Sequence, residues 1–506
     1  MNLKRITSVL LALVMLFSLS IASAQEITSK SARQMEVFKS GKSLESKVTL
    51  NVNAQTLGAL LSQTQGSGSE EDMAQFTTLI GALNKLIITS LSSMTGENRQ
   101  SGNVTIGTEK AALIDMKADV DMATGENAIT ANVLPGIVIK MDQAQMAASV
   151  QQGLQFQEHP EQLQMLDEKY HQVIADAFTK EILPGLKAEE GKFTEQEVAF
   201  DSHMEGDVNS VAVAKFVKAI VAVAKEDEQL KPLLDASIKN SLESTEKAMK
   251  AEGKSEPLPF KNADEMFTMI DGKMDEIISK GGDEKVLHLN AYQNKATKQM
   301  LVDIETPVSE GSAYNCTVLL TPGENGNSVK ANLLMKPVEE GATEPIDWAK
   351  VKEAVKSGED MSATQVALTL DTAKDDAKAS YTLNISVAAA GMPLAISIIG
   401  DETLTGAYES NAKITLSFLT PDPLAEITVR TAESDKKAEK VNAEGAKVVE
   451  IKEDTSDEEV AALGQVLTEK GLPVLMENLS KALPEEAGLI MQLLNGAQEE
   501  GTVKAN

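Results

Sequence analysis

The stretch Ile114-Asp115-Met116-Lys117-Ala118-Asp119-Val120-Asp121-Met122 alternates strictly between apolar and charged side chains. Successive side chains of a β-strand point to opposite faces, so this pattern predicts a strand with one apolar face and one face toward water. Nine further segments repeat the alternation: 48–52, 104–106, 137–141, 198–200, 300–304, 329–335, 366–370, 381–387 and 414–418. Turn-rich links such as 124–127 and 322–327 join them, which is typical of antiparallel meanders.

A second pattern has helical spacing. Apolar residues run from Met266 to Ile278, preceded by Asn262 with Glu265 three positions later, and followed by Gly281. An Asn cap, an early acid and a terminal Gly predict the two ends of a helix. Similar stripes predict helices near 73–87, 213–220 and 230–238, a helix opened by the capping box at Ser456 and ending at Lys470, and one from Pro484 to Leu494.

The two patterns recur in the same order in both halves of the chain. Glu45-Ser46-Lys47-Val48 and Asp283-Glu284-Lys285-Val286 each open a series of strands that ends in paired helices. We therefore predict an α+β fold of two curved antiparallel β-sheets, each packed against amphipathic helices, and an internal duplication. The predicted parts are a signal peptide 1–24, a flexible segment 25–42, a first sheet domain 43–205 with helical insertions, a helical cover 206–281, a second sheet domain 282–435, and a last strand with C-terminal helices 436–506. The charged run 432–444 is predicted to be a solvated connection.

The first residues predict export. Lys4 and Arg5 precede an apolar run over 6–21, and Ala22-Ser23-Ala24 supplies the small-residue pattern of a signal-peptidase site. No Cys follows the run, and the C-terminal residues carry no apolar tail. We therefore expect a soluble, secreted or cell-envelope protein without a membrane anchor.

Composition excludes several classes of protein. A net charge of −29 makes nucleic-acid binding improbable, because such a chain repels phosphate backbones. The single Cys316 excludes an internal disulfide, and its place in an alternating strand predicts a buried, unreactive thiol. Aromatic residues make up only 3% of the chain, which argues against an aromatic sugar-binding platform.

No catalytic or metal-binding pattern stands above chance. His159 and His171 lack zinc-ligand spacing, and Asp201-Ser202-His203 places neighbours on opposite faces of a strand, with His203 interpreted as a solvated turn residue. The fragments Ser244–Lys247, Ser101–Asn103 and Lys356–Gly358 occur in the wrong order for a penicillin-binding enzyme. The acidic turn 119–126 lacks EF-hand spacing, so its Asp residues are interpreted as the wet face of a strand. We predict no catalytic residues, no cofactor and no dedicated metal site.

In layout the chain resembles lipoprotein-carrier and related lipid-binding envelope proteins, and also uncharacterised secreted proteins of Gram-positive bacteria. The resemblance rests on the strands Ile114–Met122, Tyr381–Val387 and Ile414–Phe418 with the helical cover 206–281. It implies a non-catalytic binding or scaffold protein outside the cytoplasm, with an apolar small molecule or lipid held between sheet and helices, or another envelope protein as partner. The alternative is a secreted hydrolase acting on cell-envelope polymers.

Overall fold

The computed structural model describes residues 33–65, 70–96, 98–121, 124, 126–142, 160–232, 234–235, 238, 260–282, 284–308, 311–339, 346–357, 362–389, 392–419, 422–451 and 463–492. The predicted signal peptide and the capping box at Ser456 lie outside these residues. The chain divides into two compact units. The middle unit contains His159–Leu370 and Val387–Gly391, and the terminal unit contains Glu26–Glu158, Asp371–Ser386 and Met392–Asn506.

Strands dominate the described residues. They are β1 Ser43–Val52, β2 Ile87–Met94, β3 Arg99–Gly107, β4 Ala112–Asp121, β5 Glu126–Ala131, β6 Ile137–Asp142, β7 Lys187–Glu195, β8 Val198–Asn209, β9 Lys285–Gln293, β10 Met300–Glu305, β11 Ser312–Gly323, β12 Gly326–Pro337, β13 Thr364–Lys374, β14 Lys378–Ala389, β15 Met392–Thr403, β16 Glu409–Phe418, β17 Pro423–Ser434 and β18 Lys447–Ile451. The described residues of the alternating segments therefore all lie in strands, as predicted, and Met122 lies outside the described residues.

Helices lie between groups of strands, and one follows the last strand. They are α1 Ala54–Gln65, α2 Glu70–Asn84, α3 Pro160–Glu181, α4 Ser210–Lys225, α5 Ala263–Lys280, α6 Trp348–Ser357 and α7 Leu472–Ala482, with a π-helical stretch Leu467–Gly471 leading into α7. None of the described helices is both long enough and apolar enough to cross a membrane.

Local signals located helix α5 correctly. The Asn262 side chain accepts a hydrogen bond from the Glu265 amide at 2.8 Å, and the Glu265 carboxylate accepts one from the Lys261 amide at 2.8 Å. Gly281 ends the helix at φ 60°. These contacts satisfy amides that the first turn leaves without partners, as a capped helix requires.

Two predicted helix ends were wrong. Helix α2 ends at Asn84 and not at Ile87, because the Asn84 side chain bonds both the amide and the carbonyl of Val52, at 2.7 and 2.9 Å, and Ile87 opens β2. The helical stretch predicted to end at Lys470 continues through Gly471, which keeps helical angles. A Cβ at Gly471 would lie 2.0 Å from the Val133 carbonyl oxygen, so only glycine allows this close approach.

The prediction of two separate sheets was also wrong. All 18 strands belong to one sheet, which is antiparallel in every described pairing except the parallel pair β18–β6. Strand β1 pairs along its whole length with β17, from Ser43 opposite Ser434 to Val52 opposite Ala425, and β8 pairs with β9 across the predicted helical cover. Strands of the two halves of the chain pair with each other, so the halves do not form two sheets of their own. Alternation sets the face of a strand but not its partner.

In the middle unit, helices cover one face of the sheet. Val208 of β8 and Leu289 of β9 pack with Val213 and Phe216 of α4 in a buried apolar cluster. A second cluster joins α3, α4 and α5 through Tyr170, Val221 and Phe267. These clusters form the core behind the strands β8–β10.

The opposite face of the same strands carries a row of polar residues. In register across β8–β12 lie Glu205, Asn290, Asp303, Thr317 and Asn332. We call these residues the middle polar row. Helix α6 packs beside it: Trp348 and Val351 contact Ala313 and Leu334, and the Lys352 ammonium lies 3.3 Å from both carboxylate oxygens of Asp303.

Candidate binding cleft

Two of the four histidines, His203 and His288, have described side chains, and each contacts a residue of the strand that pairs with its own. His203 lies within β8, with its ring stacked on Tyr292 at 4.3 Å between centroids, and its Nε2 lies 3.3 Å from Asn290 Oδ1. The interpretation of His203 as a solvated turn residue was therefore wrong, because β8 continues past it and β9 supplies an aromatic partner. His288 Nδ1 lies 2.6 Å from Asp207, an ion-pair partner of Lys285. The pKa of Asp207 is lowered by its hydrogen bonds to Lys285 and His288. His159 lies outside the described residues.

Cys316 is buried, as predicted, and 2% exposed. Burial, with the nearby Asp303 carboxylate, raises the pKa of the thiol to about 12. A thiol with this pKa holds almost no thiolate at neutral pH, which makes it a poor nucleophile.

The structure describes only part of the other weak motifs. Ser101–Asn103 lies within β3, while Ser244–Lys247 and Gly358 lie outside the described residues. In the part of the chain that the structure describes, no group of three or more His, Cys, Asp or Glu side chains is placed to hold a metal ion.

A cleft of about 590 Å³ opens in the terminal unit at the turn-side ends of β3–β6 and β18. We call it the β4–β5 cleft. Its lining includes Arg99, Asp119, Ala128, Lys140, Lys440 and Glu450. Asp119, Ala128, Lys140 and Glu450 lie directly opposite one another on successive strands. The single methyl group of Ala128 between longer charged side chains leaves the space that forms the floor of the cleft.

One wall of the cleft comes from the segment 435–446, which links β17 to β18 and which we call the strap. Its backbone amides donate to side chains on three successive strands. Ala438 donates to Ser93 Oγ at 2.8 Å, Glu439 to Asn103 Oδ1 at 3.0 Å and Val441 to Asp119 Oδ2 at 2.9 Å. Lys440 lines the cleft beside Val441. The predicted solvated connection is mostly exposed, and it is also bound to the sheet through three backbone amides, because the strands present acceptors at the spacing of those amides.

A second polar row lies beneath the strap. Ser43, Ser93, Ser101 and Asp119 are in register across β1–β4, and the three serines are 0% exposed. We call these four residues the terminal polar row. Ser43 Oγ and Ser93 Oγ are 2.7 Å apart. The row leads from the interior of the sheet to the cleft, where Asp119 is its last member.

Asp119 carries the feature that points to a ligand. Its Oδ2 is bound by the strap, but its Oδ1 is buried and has no hydrogen-bond partner in the structure. A buried oxygen without a partner costs about 1–3 kcal/mol, so native structures rarely leave one unsatisfied. Nearby, Arg99 Nε lies 3.3 Å from Asp121, which also accepts a hydrogen bond from the Thr124 amide. The cleft therefore offers one buried carboxylate oxygen without a partner, on Asp119, while both oxygens of the nearby Asp121 accept hydrogen bonds from Arg99 and the Thr124 amide.

Sequence reasoning located the residues of the cleft without recognising the cleft. The sequence places Asp119, Asp121 and Glu126 in an acidic turn and indicates that the two Asp residues form the wet face of a strand. Asp115 fits that interpretation, since it is exposed. Asp119 does not, because the strap covers it from a point 322 residues away along the chain, and no local pattern signals that contact.

Comparisons with known proteins identify no relative. No family model and no curated protein matches the chain. Among solved structures, OpdQ of Pseudomonas aeruginosa aligns over 78% of this chain and 97% of its own at 5% identity, with a TM-score of 0.16. OccK10 (OpdN) of Pseudomonas aeruginosa aligns over 78% and 98% at 8% identity, with a TM-score of 0.14. Scores of this size carry no argument about fold or function, so the resemblance to carrier proteins stays a prediction.

Proposed function

We propose that this chain is a non-catalytic extracytoplasmic binding protein whose β4–β5 cleft takes a small polar ligand. The observation that carries the proposal is the buried, unpartnered Oδ1 of Asp119 in a cleft of about 590 Å³. A ligand with an ammonium or amide N–H would supply the missing donor, and a hydrogen bond to a charged group is among the stronger ones.

The charges around the cleft narrow the class of ligand. Asp119 lies on one side of Ala128, and Lys140 lies on the other side, two strands away and so roughly 10 Å from Asp119 along the sheet. Lys440 of the strap adds a second cation. A molecule with an amine at one end and an acid at the other, such as an amino acid or a short peptide, matches this arrangement.

The apolar-ligand version of the prediction has less support. The sheet–helix interface of the middle unit is filled by the cluster around Val208, Phe216 and Leu289. The β4–β5 cleft combines charged groups such as Asp119 and Lys140 with the apolar Val120 and Ile451, so it suits a ligand with charged ends better than a wholly apolar one. Catalysis also lacks support here, because the described lining of the cleft offers the hydroxyl groups of Thr95 and Thr124 without a histidine or cysteine beside them. Export rests on the signal-peptide pattern of residues 1–24 and stays a prediction.

Calorimetric titration of the purified mature chain with glycine, γ-aminobutyrate and a dipeptide tests the proposal. At least one of these zwitterions should bind in a saturable way. Asp119→Asn should weaken that binding about tenfold or more, because it removes the charge from the open acceptor while retaining its shape.

Asp115→Asn is the matched control. Asp115 lies on the same face of β4, outside the cleft, and accepts a hydrogen bond from Thr105 Oγ1 at 2.6 Å. This variant should bind like the unmodified chain. Absence of binding by the whole panel, or equal affinity of both variants, would contradict the proposal.

A further inference from the structure

Two cations face each other on a second part of the terminal sheet. Lys47 of β1 and Arg430 of β17 are directly opposite in register, which places their Cβ atoms about 5 Å apart. Like charges in this position repel each other and weaken the pairing of their strands. In a chain with a net charge of −29, where acidic residues outnumber basic ones, two adjacent cations stand out.

A cavity of about 510 Å³ opens over this pair. Thr89 and Thr105 continue the row beyond Lys47 on β2 and β3. The Thr105 hydroxyl donates to Asp115 Oδ1 at 2.6 Å, so the hydroxyl of Thr89 is the one placed to serve a ligand. On the same face, Gly107 adds no side chain and keeps the end of the cavity open; a Cβ there would meet the Ala111 carbonyl oxygen at 2.5 Å.

The acidic groups near the cavity do not neutralise both cations. Arg430 Nε lies 3.2 Å from Glu409, which uses one of the five N–H groups of a guanidinium. Glu45 is held by Lys436 at 2.8 Å and by the Ser434 hydroxyl at 3.3 Å. Glu109 lies exposed at the rim, in the turn between β3 and β4. The cavity therefore presents ammonium, guanidinium and hydroxyl donors on one floor.

We propose that this cavity, which we call the Lys47–Arg430 pocket, binds an oxyanion group: a phosphate or a carboxylate. An anion between the two cations would remove their repulsion and accept hydrogen bonds from both, with a third from Thr89. Guanidinium and ammonium groups are the usual partners of phosphate and carboxylate oxygens in proteins. The site is separate from the β4–β5 cleft and does not depend on the function proposed for it.

Thermal unfolding of the full mature chain at low ionic strength tests the pocket with inorganic phosphate, acetate and chloride at matched ionic strength. Phosphate or acetate should raise the melting temperature in a saturable way, beyond the effect of chloride. A larger shift with phosphate assigns the phosphate class, and a larger shift with acetate assigns the carboxylate class.

Lys47→Gln gives the decisive variant. Without anion it should melt at a slightly higher temperature than the unmodified chain, since the repulsion is gone, and its affinity for the anion should fall roughly tenfold or more. Lys413→Gln is the control, because Lys413 pairs with Glu426 on the adjoining strand and does not line the pocket; it should retain the full response. A response to phosphate and acetate no greater than to chloride, or a response unchanged in Lys47→Gln, overturns the proposal.

Discussion

The middle polar row and the terminal polar row each place an aspartate among polar residues in register across the sheet, but only in the middle row does the protein supply partners for both oxygens of that aspartate. In the middle row, Asp303 accepts hydrogen bonds from Asn315 Nδ2 at 2.8 Å and from Thr317 Oγ1 at 2.7 Å, and it pairs with Lys352. Every one of these partners comes from the protein itself. In the terminal row, Asp119 has a protein donor for only one of its two oxygens.

This difference separates a structural polar row from one that can bind. Polar residues inside a sheet are tolerated where each finds a partner, and the middle row meets that condition through helix α6. In the terminal row the serines meet this condition, but at the cleft one oxygen of Asp119 has no partner. Both rows are polar and both contain buried members, such as Thr317 and Ser93, so the unsatisfied acceptor, rather than the presence of carboxylates, marks the candidate site.

The largest effect should come from breaking the middle row at Asp303. Asp303→Ala removes the closest acceptor of Asn315, which is 0% exposed, and of Thr317, which is 3% exposed, and leaves Lys352 without its partner. Longer contacts remain, from Asn315 to the Ile304 carbonyl at 3.5 Å and from Thr317 to Asn315 at 3.3 Å. We expect a loss of about 3 kcal/mol in the free energy of unfolding. Urea unfolding followed by the fluorescence of Trp348, which lies on the same helix as Lys352, measures it.

Asp176→Ala supplies the comparison for that loss. Asp176 is exposed on α3 and accepts a hydrogen bond from Gln172, one turn earlier in the same helix. Its replacement should change stability by no more than about 0.5 kcal/mol. A similarly small change for Asp303→Ala would show that the contacts of Asp303 in the middle row do not stabilise the fold.

A smaller effect should follow from Ser93→Ala in the terminal row. The Ser93 hydroxyl accepts the amide of Ala438, which is buried, so the substitution leaves that amide unsatisfied and costs about 1–2 kcal/mol. Hydrogen exchange over the strap should accelerate, because one of the three backbone amides that anchor it to side chains of the sheet loses its acceptor.

Ser46→Ala is the reference for the strap. Ser46 lies on β1 and its hydroxyl bonds Thr431, away from the strap. Exchange of residues 435–446 should be the same in this variant as in the unmodified chain. Unchanged exchange in Ser93→Ala as well would mean that other contacts hold the strap in place.

The contrast between the rows also explains what the sequence could predict. Helix α5 was found because its signals, Asn262, Glu265 and Gly281, are local and satisfy the amides and the end of one helix. The strands were found because alternation is local too. Partner choice is not: β1 pairs with β17, and the strap reaches Asp119 across 322 residues. The same alternating pattern in the sequence is compatible with one sheet or with two, so local patterns could not predict the number of sheets.

The candidate site depends on those distant contacts. Asp115 and Asp119 are indistinguishable in the quoted stretch, since both are acidic residues on the polar face of the same strand. Pairing makes them different: Asp115 receives the Thr105 hydroxyl, and Asp119 receives the strap on one oxygen. The gap above Ala128 likewise exists only because β4, β5 and β6 bring longer side chains to both sides of it.

The smallest effect, and the one that sharpens the comparison most, concerns Glu305 beside the middle row. Burial, followed by the Asp303 carboxylate, raises the pKa of Glu305, against the opposing influence of His288, Lys352 and Lys285. A carboxyl whose pKa is higher in the folded than in the unfolded chain is less favourable when ionised. It therefore lowers stability above its folded pKa and ceases to do so as the pH falls below its unfolded pKa.

Glu305→Gln should therefore stabilise the chain at pH 7, on the order of 0.5 kcal/mol. The gain should vanish near pH 4, in urea unfolding at both pH values. Glu353→Gln, the same change on the exposed side of α6, should show no such dependence. If the gain in stability of Glu305→Gln persists at pH 4, its origin is packing rather than charge. The middle row would then have its hydrogen bonds satisfied without a destabilising charge on Glu305.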